Sequence, residues 1–313
     1  MTTGPAVGAA VAAPTRPRRR RFAWWAGLFL LPSSLLFAGL VLLPIVVAVV
    51  LSFCSWDGTT AVRFIGTANW QRFLGDGDAL AALQRTGLLV VLCWLIQEPI
   101  ALALGVYAAG RQRHRALLSA VYFLPALVSS AALGVLWSQL LSPVNGGVQY
   151  ASQHFGLPFL GQSWLGSPHL VLGTVTVLVC WQFIPFHSLI FQAGVKQIPR
   201  SLYEAAAIDG LTPWQQLIHI TLPMLRHTLV TSSTLNIVGS LTVFDLIYTL
   251  TGGGPGQSTR VLALAQYLEG FQSFSFGYAS VLAVVLGVLA VVVSLILVRV
   301  TGFGEMRSEA EGA

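Results

Sequence analysis

Six long apolar runs dominate this sequence, at roughly 24–51, 87–109, 116–140, 170–195, 228–250 and 277–300. About 20 helical residues cover the ~30 Å hydrocarbon core of a bilayer, so runs longer than about 18 are candidates to cross it. Inside lipid the backbone finds no water and must pair its own polar groups, in helices or in a closed barrel. No run carries the short alternating pattern of a barrel strand. The expected class is an all-α membrane protein with six transmembrane helices. Only 9% of residues are charged, where soluble domains carry ~25%.

Charge placement sets the expected orientation. With the N-terminus inside, thirteen basic residues fall on cytoplasmic segments: Arg16, Arg18–Arg21, Arg111, Arg113, Arg115, Lys196, Arg200, Arg226, Arg299 and Arg307. Four fall outside: Arg63, Arg72, Arg85 and Arg260. Basic residues concentrate on the cytoplasmic side of membrane proteins. Both termini are therefore expected inside, and the net charge of +6 reads as topology rather than nucleic-acid binding. The first apolar run is too long for a signal-peptide core and lacks a small-residue cleavage site, so it reads as a retained span. Residues 1–21 are expected to be a disordered basic cytoplasmic tail, 22–303 a six-helix transmembrane domain, and 304–313 a cytoplasmic tail. Cys54, Cys93 and Cys180 show no metal-ligand spacing and imply no disulfide framework.

One polar segment stands out between the fourth and fifth runs, YEAAAIDGLTPWQQLIHITLP at 203–223. Ser201 and Glu204 have the spacing of a capping box. Three alanines favour helix, and Gly210 is placed to end it in a left-handed turn. Thr212, Pro213 and Gln215 repeat the start signal for a second helix, which Pro223 is expected to stop. The small alanine face suits close approach by another protein, with Trp214 and Leu217 as anchors to the membrane domain. An interfacial helix would carry a face rich in Lys and Arg, whereas this one carries Glu204, Asp209, Gln215 and Gln216.

These residues fit the pattern EAA-x3-G-x9-I-x-LP at Glu204, Ala205, Ala206, Gly210, Ile220, Leu222 and Pro223. The segment resembles the signature loop of permease subunits of bacterial ABC importers. TGGGPGQST at 251–259 and GYASVLAVVLGV at 277–288 resemble the carbohydrate-uptake branch, the maltose and glycerol-3-phosphate type. The resemblance implies a type I importer permease fold in the bacterial plasma membrane. It implies that the loop at 197–226 is a coupling-helix loop that docks into a separate ATPase subunit, with Glu204, Ala205, Ala206, Asp209, Gly210 and Leu211 at the contact. It also implies a second homologous permease subunit and an extracytoplasmic solute-binding protein. ATP and Mg are expected on the ATPase, and no cofactor on this chain. A phosphate-binding loop needs Gly-Lys-Ser/Thr. The single lysine, Lys196, lies between Val195 and Gln197.

Polar residues within spans tend to face a bundle interior or a wet path. Trp181, Gln182, Phe183 and Phe186 on the fourth run are candidates for a substrate path. So are Asn236, Gly239 and Ser240, which share a face of the fifth. Rings, amides and hydroxyls suit sugar-like ligands, although Gly, Ser and Asn also pack helices together. Glu98 beside Pro99 is expected to bond backbone freed by the proline, Asp245 to order the outer end of the fifth span, and His187 to be a packed polar residue. No metal site or catalytic constellation is expected. The competing reading is an ion-coupled secondary transporter using the intramembrane carboxylates Glu98 or Asp245, though its usual repeats and broken-helix ion sites are not evident. Oligosaccharides, monosaccharides, polyols and glycerol phosphodiesters fit the sequence equally as solutes.

Overall fold

The computed structural model describes residues 24–110 and 120–300. The two expected tails and Arg111, Arg113 and Arg115 lie outside the described residues. The chain divides into two compact units, 1–47 and 48–313.

The first helical stretch runs through α1 (Trp24–Phe37) and a π turn (Ala38–Leu42) into α2 (Leu43–Leu51). Its large apolar side chains from Phe29 to Val46 are exposed, as a lipid-facing surface requires. The π turn has a local cause. Pro44 lacks an N–H, and its ring would collide with the carbonyl four residues back in a regular helix. Opening the ladder by one residue, with Leu43 N–H donating to Ala38 O, relieves that clash.

In the second unit, α3 (Ala68–Gly75) and α4 (Gly77–Ala108) follow a two-residue antiparallel ribbon pairing Cys54 with Phe64 and Ser55 with Arg63. Further on come α5 (Ser130–Leu140), α6 (Val171–Gln197), α7 (Arg200–Ile208), α8 (Pro213–Gln216) and α9 (Arg226–Leu241). The last elements are α10 (Asp245–Thr251), α11 (Leu262–Tyr267) and α12 (Phe276–Val300). The second, fourth and sixth apolar runs become single helices long enough to span, α4, α6 and α12. The fifth becomes α9 and α10, bent by 43°. Asp245 is exposed at the first position of α10.

The third run departs from expectation. Its described part is not one helix. A short turn of helix at Leu124–Leu127, with Pro125 near its start, ends at extended Val128. Ser129 then caps α5, its Oγ accepting from Ala132 N–H at 3.3 Å. Ser129, four residues after Pro125, favoured this break as the cap of a new helix, and the apolar count concealed it. The freed Val128 carbonyl accepts from Gln182 Nε2 on α6 at 3.3 Å, and the same amide reaches Ser130 Oγ at 3.0 Å.

The central packing is α4 against α6. Gly105 makes it possible, because a Cβ there would lie 2.6 Å from Phe191 Cβ and 2.7 Å from Ser188 O. Small residues at such crossings are the usual device where lipid removes the hydrophobic drive between helices. One core cluster joins Leu89 and Cys93 of α4 to Val175 and Val179 of α6 and Ile247 of α10. A second joins α4, α11 and α12 around Tyr278 and Leu282. Polar ties close one end of that cluster. Glu269 accepts from Arg72 at 3.3 Å and Arg260 at 3.4 Å, and Arg72 stacks 3.7 Å over the Tyr278 ring. Asp76 caps α4 through Asp78 N–H and Ala79 N–H and accepts from Tyr278 OH at 2.6 Å.

Burial works against ionising Asp76, but the bonds from Tyr278, Ala79 and Asp78 and the charge of Arg72 outweigh it and hold the carboxyl below its ordinary 3.8. A depressed carboxylate stabilises above its unfolded pKa, and the benefit fades as pH falls through the folded value. Asp76→Ala is expected to cost about 1 kcal/mol at neutral pH. The gap in melting temperature from the parent should hold above pH 3.8 and close below it, as read by thermal unfolding in detergent.

Candidate functional site

Two features bring the chemistry-bearing residues together. The first is the elbow between α6 and α9. The helix α7 begins at Arg200 after Pro199, with no side-chain cap. The expected Ser201–Glu204 capping box is therefore not formed: Pro199 takes the cap position two residues earlier, and Ser201 lies inside the first turn. The helix ends as the glycine dictates. Gly210 has φ +79°, Leu211 N–H donates to Ala206 O at 2.9 Å, and Gly210 N–H donates to Ala207 O at 3.2 Å. These two bonds are a Schellman motif, which satisfies the last carbonyls of a helix.

The second capping box forms as expected. Thr212 Oγ1 accepts from Gln215 N–H, and Gln215 Oε1 accepts from Thr212 N–H at 2.8 Å. Pro223 does not stop this helix. It continues through a π turn at Leu217–Thr221 to Met224. Here too the π turn ends two residues before the proline, as at Pro44, and Leu222 N–H donates to Leu217 O. The break comes at Leu225, which leaves helical geometry at ψ 4°.

The elbow is rooted in a small core of Ala101, Phe191, Ile198 and Leu225, with Tyr203 and Ile220 packed against it. Tyr203 OH and Thr221 Oγ1 lie 2.9 Å apart and tie its two arms. Trp214 is not an anchor, being 68% exposed. Of the residues expected at a contact, Glu204, Ala205, Asp209 and Gly210 are exposed, Leu211 is half-buried, and Ala206 is buried against the elbow itself. Sequence reasoning missed Ile208, which is 87% exposed. Its signal was an isoleucine placed between alanines and an acid just before the helix stop, where nothing within the segment can cover it.

The second feature is a cleft of about 390 Å³ between α4, α6 and α9. Phe183, Phe186, Asn236, Gly239 and Ser240 line it, together with Gln97 and His187. Trp181 and Gln182 do not. Trp181 lines a separate hollow and meets Trp137 edge-on at 5.5 Å, and Gln182 is buried on the broken helix described above. The spacing Asn236, Gly239, Ser240 does put all three on one face.

Behind the cleft wall lies a buried polar cluster that the residues did not announce singly. Glu98 Oε1 accepts from Ser232 Oγ at 3.1 Å and from Asn236 Nδ2 at 3.2 Å. Ser232 Oγ lies 3.0 Å from His187 Nδ1. Ser240 Oγ donates to Asn236 Oδ1 at 3.3 Å. Glu98 thus bonds side chains of α9 rather than backbone freed by Pro99, and α4 continues unbroken through the proline. Glu98, His187, Ser232, Asn236 and Ser240 are each no more than 6% exposed.

The comparisons decide the family. Residues 101–301 match the family described as binding-protein-dependent transport system inner membrane component. The chain belongs to this family. A probable ABC transporter permease of Pyrococcus horikoshii is 32% identical, the match covering 86% of this chain and 92% of that protein. A multiple sugar-binding transport system permease of Streptococcus mutans is 29% identical over 89% of this chain and 95% of its own. Among solved structures, a bacterial ABC transporter involved in import of the acidic polysaccharide alginate matches with a TM-score of 0.77 at 22% identity. That match covers 89% of this chain and 95% of the other, and it speaks to the fold. This binding-protein-dependent permease is thus a multi-pass inner-membrane transport component of the type I importer fold.

A Cβ at Gly210 would meet nothing within 4 Å, so only the positive φ of the permease's elbow demands glycine. Gly210→Val is expected to destabilise the elbow by about 1–2 kcal/mol, and Gly210→Asn by less, since Asn tolerates this conformation. Hydrogen exchange should quicken at the amides of 207–211 in Gly210→Val and leave α4 and α6 unchanged.

Proposed function

We propose that this chain is a translocation subunit of an ATP-driven importer for a sugar or sugar-like solute. The elbow at 197–226 is its contact with a separate ATPase, which holds the ATP and Mg; this chain binds no cofactor of its own. A second homologous permease completes the path, an extracytoplasmic binding protein delivers the solute, and both termini lie in the cytoplasm.

The observation that carries this reading is the elbow. Two capped arms leave a bare isoleucine and a bare tryptophan standing among Glu204, Asp209 and Gln215. An apolar side chain exposed on a stiff polar mount fits a hot spot awaiting a protein pocket. Force passes through such an element only if it is stiff, and the Schellman turn, the capping box and the Tyr203–Thr221 bond supply that. The sugar class rests on the names of the relatives and on the cleft, where two phenyl rings stand beside amide, hydroxyl and imidazole groups.

Glu98 supports a second reading, an ion-coupled carrier, because its Oε2 is buried with no hydrogen-bond partner among the described residues. Reconstitution separates the two. With its ATPase and binding protein in liposomes, the chain is expected to drive uptake that needs ATP and survives proton uncouplers. Ile208→Asp should lower that uptake at least about tenfold while the assembled spans melt as before. Uptake by this chain alone, driven by an ion gradient, would establish the carrier reading instead.

A further inference from the structure

The polar cluster behind the cleft has a direction that follows from counting hydrogens. A serine hydroxyl owns one hydrogen. Ser232 spends it on Glu98 Oε1, 3.1 Å away. The 3.0 Å contact between Ser232 Oγ and His187 Nδ1 then requires Nδ1 to bring the hydrogen. A neutral imidazole has one N–H, so Nε2 is left as a bare acceptor. His187 lines the cleft, and no described residue is hydrogen-bonded to its Nε2. The same Glu98 oxygen accepts from Asn236 Nδ2 at 3.2 Å, and Ser240 Oγ donates to Asn236 Oδ1 at 3.3 Å. A flipped amide would set two acceptors against each other at Glu98, so the orientation of Asn236 is also decided.

We propose that Glu98 is a positioning residue for solute recognition: its Oε1 fixes the tautomer of His187 and the amide of Asn236. The wall then presents acceptors at His187 Nε2 and Ser240 Oγ, and a donor at the second N–H of Asn236. Neighbouring hydroxyls of a polyol or sugar ring each give and take one hydrogen bond, and they complement that alternation. Phe183 and Phe186, both partly exposed, offer apolar faces to the ring carbons. The role needs an acceptor at Oε1 and no charge, which distinguishes it from the carboxylate of an ion-coupled carrier. It rests on the reading of the cleft as the solute path.

Solid-state NMR of isotope-labelled histidine in bilayers reads the tautomer directly, with the His187 signal assigned by its loss in His187→Asn. The proposal expects Nδ1 protonated and Nε2 bare in the wild type. It expects the same in Glu98→Gln, whose amide oxygen can accept both bonds, and a changed or mixed tautomer in Glu98→Leu and Ser232→Ala. Nε2 protonated in the wild type overturns the proposal. The second arm measures uptake of radiolabelled maltose, lactose and raffinose by the complex with its ATPase and binding protein. Glu98→Leu should raise KM about tenfold, as for one lost hydrogen bond to the solute, with kcat held, and Glu98→Gln should restore it. A dead Glu98→Gln shows that the carboxylate carries charge or a proton and overturns the positioning role. The expected tautomers with KM unmoved in Glu98→Leu also overturn it, placing the fault in the cleft as solute path. Wild-type transport of none of the three sugars faults the sugar reading and leaves the hydrogen-bond chain to the NMR result.

Discussion

A backbone polar group that meets lipid without a partner costs several kcal/mol, and most of this structure answers to that cost. Long unbroken helices meet it by themselves. The irregular places meet it with local repairs. Before Pro44 and Pro223 the ladder opens into a π turn, so the proline's missing donor and its ring fall where no regular bond is needed. At Val128 the third apolar run breaks, and Gln182 reaches from α6 to take up the freed carbonyl. At the start of α11, Leu262 N–H donates to Thr86 Oγ1 on α4 at 2.8 Å, and that hydroxyl passes its own hydrogen to Ala82 O. The last two repairs are each one polar side chain from a neighbouring helix. Each also pins that neighbour, so satisfying the backbone and assembling the bundle are the same event.

The Glu98 cluster belongs to the same economy but does more than close a ledger of donors. Where Gln182 and Thr86 serve backbone, Glu98 serves other side chains. It turns the separate groups of α6 and α9 into one oriented surface. Hydrogen-bond networks in a low-dielectric setting are worth most when every member has its partner. Among the buried side-chain atoms of this described cluster, Glu98 Oε2 goes without, and His187 Nε2 is left facing the cleft. The elbow shows the complementary strategy. Its turns are closed by its own bonds, and what it leaves uncovered is apolar, at Ile208 and Trp214.

The spans were legible because apolar length is a direct reading of bilayer thickness, and α4, α6 and α12 fall where the runs predicted. Breaks were less legible. Counting apolar residues cannot distinguish Leu124–Leu140 as one helix from two, since the deciding bond comes from Gln182, over fifty positions away. The turn at Gly210 and the box at Thr212–Gln215 were readable because they are closed by neighbours in sequence. The box at Ser201 failed for a local reason too, as Pro199 took the cap position. On the cleft, Phe183, Phe186, Asn236, Gly239 and Ser240 follow from helical spacing, whereas Trp181 and Gln182 sit one step around α6 and face other partners. Glu98 and His187 each looked structural alone, and only the packing of α4 against α6 and α9 joins them through Ser232.

The central claim is that the elbow is a lever held by a separate ATPase. Replacing the three buried cysteines and introducing Ile208→Cys gives a probe at the point of expected contact. In the assembled transporter the account predicts that this thiol is shielded from a water-soluble maleimide, and that it forms a disulfide with a cysteine in the ATPase whose yield changes on adding ATP. An Ile208→Cys thiol that reacts as freely in the complex as in the isolated chain, with and without ATP, would contradict it.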